Sequence, residues 1–239
     1  MKNKQDLKNI IEGLHQSFLQ LKDEGRKEFA IISYPSILKI YGVKNPDLKL
    51  ILKELSVICK DFTAAQKMEL AKLLINEGYM ETVQLAYEFI GLEKKALELF
   101  TEADFNDFTK GMDNWVCVDT FGVNVFGIAW RNKQLSTKFI HQLAKHSDFW
   151  MRRLALVATI PLNMKSRGGK GDIEKTLAVC ELLVNDRHDM VVKALSWSLR
   201  MLSSIGKNEV ENFMVKHQAV LHARVKRELN TKLTTGKKN

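Results

Sequence analysis

The chain predicts an all-α protein built from stacked antiparallel helix pairs, and three features carry that prediction. Only 3 Pro and 13 Gly punctuate 239 residues, too few for the many turns of an all-β chain. Apolar residues recur at three-to-four spacing over nearly the whole length, with short polar breaks between the runs. A faint internal similarity returns at the spacing of two-helix units. With 45% apolar and 27% charged residues, the chain is long and apolar enough to bury a core, which excludes disorder.

Taken in order, the first stripe is Leu7, Ile10, Ile11, Leu14, Phe18 and Leu21, and the second is Leu48, Ile51, Leu52, Leu55 and Ile58. Further stripes run from Met68 to Ile75, Val83 to Ile90, Ala96 to Leu99, Trp115 to Trp130 and Phe139 to Leu143. The last ones run from Trp150 to Ile160, Ile173 to Leu183, Val191 to Leu202, Val210 to Val215 and Val220 to Leu233. Start signals agree with this reading. Pro46 in Asn45-Pro46-Asp47 suits a first helical turn, Asp61 or Thr63 can cap the next helix, and Ser147 or Asp148 can cap the helix of Trp150.

The segments starting at Asp148 and at His188 share a pattern that sets Arg153 and Lys193 40 residues apart, each followed by small and branched apolar residues. Trp115 lies 35 residues before Trp150, and the stretch from Glu81 to Ala86 lies roughly one period further upstream. Two-helix units of about 35 to 45 residues mark HEAT-like solenoids, in which stacking supplies the core that no single pair can bury. The expectation is one curved solenoid domain over residues 1–239, frayed at about 234–239, with a basic concave face.

Charge is segregated along the chain. Residues 1–110 hold 16 Lys/Arg against 17 Asp/Glu, whereas residues 111–239 hold 21 against 11, so the whole excess of +9 comes from the second half. A segregated cationic surface suits an anionic partner, nucleic acid above all, because phosphate neutralisation with counterion release supplies most sequence-independent affinity. A solvated basic face with no partner is the other reading.

Cys59, Cys117 and Cys180 lie about 60 residues apart inside apolar runs, without a nearby Cys or His at ligand spacing. They read as small buried hydrophobes, not as a disulfide framework or zinc site. No run of about 18 uncharged apolar residues appears, and the start of the chain lacks a signal-peptide core. A cytoplasmic protein is expected.

Several residues are candidates for chemistry. Trp115 and Asp119 stand at i, i+4, so on a helix both project from one face; an indole and a carboxylate together attract a cation. Core packing of Trp115 is the competing reading. Arg152 and Arg153 are about 100° apart on a helix, so at most one faces a given partner. Arg153 shares the register of Lys193, and its guanidinium suits either a phosphate or a carboxylate in a neighbouring repeat. Trp197, between Ser196 and Ser198, suits the core or an exposed stacking platform. Lys165, Arg167 and Lys170 punctuate the one glycine-rich run, which lacks a P-loop ending and reads as a mobile basic loop. Lys232 to Lys238 form a second basic segment. The six histidines are scattered, without a Ser-His-Asp or HExxH arrangement.

Three segments in this order resemble one family. Asn114-Trp115 through Asp119, Asp148 through Arg153, and Val192-Lys193 through Trp197 resemble the AlkD-like DNA alkylation repair proteins, HEAT-like-repeat glycosylases of alkylated purines. The Gly42 to Pro46 stretch is similar to that family's Gly-x-x-x-Pro turn. The resemblance implies that Trp115 and Trp197 pack against the damaged nucleotide, that Asp119 is the catalytic carboxylate and that Arg153 contacts phosphate near the lesion. It places Tyr34 near the DNA; Arg152, Lys193, Lys165, Arg167 and Lys170 complete the expected DNA-binding set. The expected partner is double-stranded DNA containing alkylated bases, with no metal, cofactor, membrane or obligate protein partner, and one copy of the chain suffices. A non-catalytic HEAT-repeat protein binding distorted or branched DNA is the alternative, and a protein-interaction scaffold a further one.

Overall fold

The computed structural model describes residues 4–237. Among them every regular element is helical, apart from one isolated bridge between Lys39 and Tyr79. The chain divides into two compact units, Met1–Val125 and Phe126–Asn239.

The first unit begins with α1 (Lys4–Leu21) and α2 (Glu24–Ser33), continues with α3 (Asn45–Ile58), α4 (Ala64–Asn76), α5 (Met80–Leu92), and the short α6 (Lys94–Leu97) and α7 (Phe105–Phe108), and reaches α8 (Trp115–Phe121). Pro46 does open α3, and Thr63 caps α4 in a reciprocal box with Gln66, as the start signals predicted. Helices α4 and α5 pack as a pair, and α5 packs in turn on α3 and α8. Behind α8 lies an aromatic cluster of Tyr87, Phe100, Phe108 and Phe121, with ring centroids about 5 to 6 Å apart, each fully buried. Such a cluster fixes the inner face of α8 by area and by shape.

Between α2 and α3 the chain crosses residues 34–44 without regular structure, and one buried carboxylate satisfies its backbone. Glu81, only 4% exposed, accepts the N–H groups of Tyr41, Gly42 and Val43 at 3.1, 2.7 and 3.2 Å. Gly42 is obligatory there. Its φ is +89°, and a Cβ would stand 2.4 Å from the Asp23 carbonyl oxygen. Glu81, which the repeat pattern singled out, is therefore the anchor of the Gly42 to Pro46 turn.

The second unit runs from α9 (Gly127–Arg131) through α10 (Thr137–Ala144), α11 (Phe149–Val157), α12 (Ile160–Asn163), α13 (Ile173–Leu182), α14 (Asp189–Leu202) and α15 (Lys207–Lys216) to α16 (Ala223–Thr235). Helix α14 is its hub, packed on α11, α13 and α16. The 40-residue repeat has a structural counterpart: Asp148 and His188 are the N-caps of α11 and α14, and each accepts the backbone N–H two residues on. The apolar run from Trp150 to Ile160 breaks before α12, because Pro161 cannot continue the hydrogen-bond ladder and the buried Thr159 hydroxyl turns back to the Leu156 carbonyl at 2.7 Å. Helix α16 covers Thr234 and Thr235 of the segment expected to fray and ends at Gly236; residues 238 and 239 lie outside the described residues.

Replacing Glu81 by Ala strands two buried backbone donors and one part-buried one, so urea denaturation of Glu81→Ala should show a loss of roughly 3 kcal/mol. Glu81→Gln, which keeps an acceptor oxygen, should lose clearly less.

Candidate functional site

In the first unit, the site residues are set by the start of α8. Asn114 has extended backbone and its Oδ1 accepts the Cys117 N–H at 3.0 Å, which fixes the first turn. Cys117, Val118 and Phe121 then point inward. Trp115 and Asp119, one turn apart, lie on the other side: Trp115 is 37% exposed and Asp119 half-buried. Trp115 is therefore not a core residue. Tyr34, 5% exposed, turns its edge to the Trp115 ring at 5.6 Å and 84°, and the Arg26 guanidinium lies 5.6 Å from the Tyr34 ring centroid. Burial raises the Tyr34 hydroxyl above its ordinary pKa and outweighs the lowering influence of Arg26. Tyr34 thus serves as a neutral packing wall for Trp115.

A second acidic residue closes this corner. Asp113 accepts the Ser36 hydroxyl at 2.5 Å and the Ile37 N–H at 2.6 Å, and the Asn114 side-chain amide donates to both Ser36 Oγ (3.2 Å) and Asp113 Oδ1 (3.3 Å). Nothing in local sequence pattern announces this contact, because its partners are more than 70 residues apart.

In the second unit the two arginines diverge, as adjacent helical positions must. Arg152 pairs with Asp186 at 2.6 Å and donates to the carbonyls of His146 and Ser147. Arg153, 5% exposed, donates to the Met190 carbonyl at 2.5 Å in the first turn of α14. Both therefore tie α11 to the start of the next repeat.

Trp197 is half-buried, and its flanking serines explain its placement. Ser196 and Ser198 are fully buried; Ser196 donates to Glu228 at 2.6 Å, and Ser198 shares a 2.6 Å bond with Thr159. The serines turn inward and leave the indole at the boundary with solvent. Lys193, one turn earlier, is ion-paired with Asp189 at 2.7 Å, and Arg224 joins Asp189 (2.7 Å) to Glu228 (3.0 Å). Helix α14 is thereby bolted to α16.

The glycine-rich run, expected as a mobile loop, is a folded corner. Arg131 donates to the carbonyls of Pro161 and Arg167 at 2.9 and 2.5 Å, Gly168 and Gly171 adopt positive φ, and a Cβ on Gly169 would meet the Pro161 carbonyl oxygen at 2.5 Å. Lys165 and Lys170 stand exposed on this corner, and Arg167 is half-exposed. The signal missed in the sequence is Arg131, 30 residues before its first acceptor.

The cysteines are free and buried, and burial pushes the thiols of Cys117 and Cys180 up to about 12, which leaves them unreactive. Among the described residues no three His, Cys, Asp or Glu side chains gather as a metal site, and no helix is long and apolar enough to cross a membrane. The charge asymmetry follows the structural division. The first unit holds 16 Lys/Arg against 19 Asp/Glu, the second 21 against 9.

The site thus lies in an all-helical repeat protein with a strongly basic second unit, and its first unit presents a half-exposed indole one turn from a carboxylate. The chain belongs to the DNA alkylation repair enzyme family, whose model matches residues 14–232. No curated protein matches it. Family membership makes a role in alkylation repair, and DNA as the partner, part of its description.

The network around α14 has a pH signature. Burial raises the Glu228 carboxyl, but the Ser196 hydroxyl, Arg224 and Arg200 outweigh it and hold it below the ordinary value; Lys193 and Arg224 likewise lower Asp189 against the opposing effect of burial. A lowered folded-state pKa contributes stability above the unfolded value, about 4.3 for Glu228 and about 3.9 for Asp189, and loses it as pH falls through the folded value. Urea unfolding of the second unit's signal should therefore weaken below about pH 4, and Glu228→Gln should start lower at pH 7 and show a shallower acid decline.

Proposed function

We propose that the protein is a DNA glycosylase that releases positively charged N3- and N7-alkylated purines, such as 3-methyladenine and 7-methylguanine, from duplex DNA. The observation that carries this reading is the half-exposed Trp115 one turn before the half-buried Asp119, in a chain of the alkylation repair family.

Alkylation at N3 or N7 makes the base a cation and weakens its glycosidic bond, so the leaving group needs little acid catalysis. As the C1′–N bond breaks, its electron pair neutralises the base and positive charge passes to the deoxyribose. A fixed carboxylate stabilises that charge where it develops, and water supplies the new C1′–O bond with loss of one proton. Asp119 is assigned this electrostatic role. Trp115 and Trp197 are assigned the indole faces that attract the cationic nucleotide and exclude water. Arg153 is assigned a phosphate contact. Lys165, Arg167, Lys170, Lys193 and Arg152 are assigned to the basic surface that holds the duplex, with Arg152 and Lys193 shared with Asp186 and Asp189. Tyr34, 5% exposed, is assigned to support the Trp115 ring beside the DNA.

Asp119→Asn keeps the shape and removes the charge. Single-turnover release of 7-methylguanine should fall about a hundred- to a thousandfold, while duplex affinity stays within about threefold. Wild-type rates in this variant would remove Asp119 from the mechanism. Arg153→Ala should weaken duplex binding and lower the slope of log K against log salt by about 1, as expected for one lost phosphate contact. The buried bond to Met190 makes a parallel melting curve part of that test.

A further inference from the structure

Trp115 occupies the first position of α8, where a helix has the least support from its own backbone, and yet the proposed chemistry needs its ring in one orientation. The structure supplies the missing support from 77 residues away. Ser36 and Ile37 both donate to the Asp113 carboxylate, and the Asn114 amide bridges Ser36 and Asp113 while its carbonyl oxygen caps α8. On one side of this junction Trp115 follows Asp113 by two residues. On the other, Tyr34 precedes Ser36 by two residues, with Pro35 between them to limit backbone freedom. The two rings that meet edge to face at 5.6 Å are thus joined through a short bolted path on both sides of the junction.

We propose that Asp113 is a positioning residue: its carboxylate clamps the 36–37 corner to the start of α8 and so sets the orientation of the Trp115 indole against Tyr34. The assignment of a rate effect rests on the glycosylase reading above; the orientation itself does not. Three features set this clamp apart from a solvated surface carboxylate. Both carboxylate oxygens are engaged, one by a hydroxyl and one by a backbone N–H. The Ser36 hydroxyl also accepts the Leu38 N–H at 3.1 Å, so the corner closes on itself. The bridging Asn114 is 1% exposed, so its side-chain amide has no water to turn to if the network breaks.

Because the clamp acts through Trp115 and not through phosphate contacts, its loss should appear in kcat and leave KM within about twofold. The test uses the full chain labelled with 5-fluorotryptophan, with the Trp115 resonance assigned through Trp115→Phe. Asp113→Asn and Ser36→Ala should shift or broaden the Trp115 resonance of the free protein and slow single-turnover release of 7-methylguanine about tenfold. Ser36→Thr, which keeps the hydroxyl donor, should restore both. An unmoved Trp115 resonance in Asp113→Asn and Ser36→Ala overturns the clamp. So does a loss of activity matched by a lowered melting temperature and not restored by Ser36→Thr. If the wild-type protein releases no base from methylated duplex, the glycosylase reading fails, and the fluorine resonance still decides whether Asp113 orients Trp115.

Discussion

Every helix that bears an assigned catalytic residue begins with backbone N–H groups that no carbonyl of its own can reach, and the rest of the structure depends on how those groups are met. Asn114 meets them for α8, Asp148 for α11 and His188 for α14, each through a side-chain acceptor. The cap also sets the register in which Trp115 and Asp119, Arg153, and Trp197 leave their helices. The same physics acts in the crossover before α3, where Glu81 takes three N–H groups that have no helix to join. His188 adds a contact between repeats, since its ring stacks on Phe149 of α11 with centroids 3.6 Å apart. Repeat stacking and helix capping are therefore carried partly by the same side chain.

Charge is distributed with the same economy. The second unit holds a large cationic excess, and its nine acidic residues include three that link one element to another: Asp186 on Arg152, Asp189 on Arg224 and Glu228 on Arg200. What remains in excess is a basic surface of the kind that phosphate backbones neutralise. A cationic lesion presents the opposite problem at the reacting sugar, where a single carboxylate matters more than many lysines. In the proposed function the two tasks fall to different residues: lysines and arginines for the duplex, Asp119 for the charge that develops as the bond breaks.

Much of this was legible in the sequence, and what was not has a common cause. Helical periodicity, Pro46, Thr63 and Asp148 are local signals, and each element they mark is where they put it. The 40-residue spacing of Arg153 and Lys193 is legible because a stacked repeat writes itself twice. The resemblance carried by Trp115, Asp119 and Trp197 gave the family. The long-range contacts stayed hidden: Asp113 on Ser36, Glu81 on the Gly42 turn, Arg131 on the glycine-rich corner. Each joins a charged side chain to backbone or hydroxyl groups at least 30 residues away, and such a bond has no period and no neighbour to announce it. The glycine-rich run misled for the same reason. Its composition suggests mobility, and the guanidinium that orders it comes from another helix.

The most direct measurement is the fate of the base itself. Purified protein incubated with duplex DNA carrying either 7-methylguanine or a neutral lesion such as hypoxanthine, with free base quantified by chromatography, separates charge-driven excision from other activities. Release of the methylated, cationic base with the neutral one left in place is the result this account predicts. Tight binding of both duplexes with no base released, or equal release of the two, contradicts it.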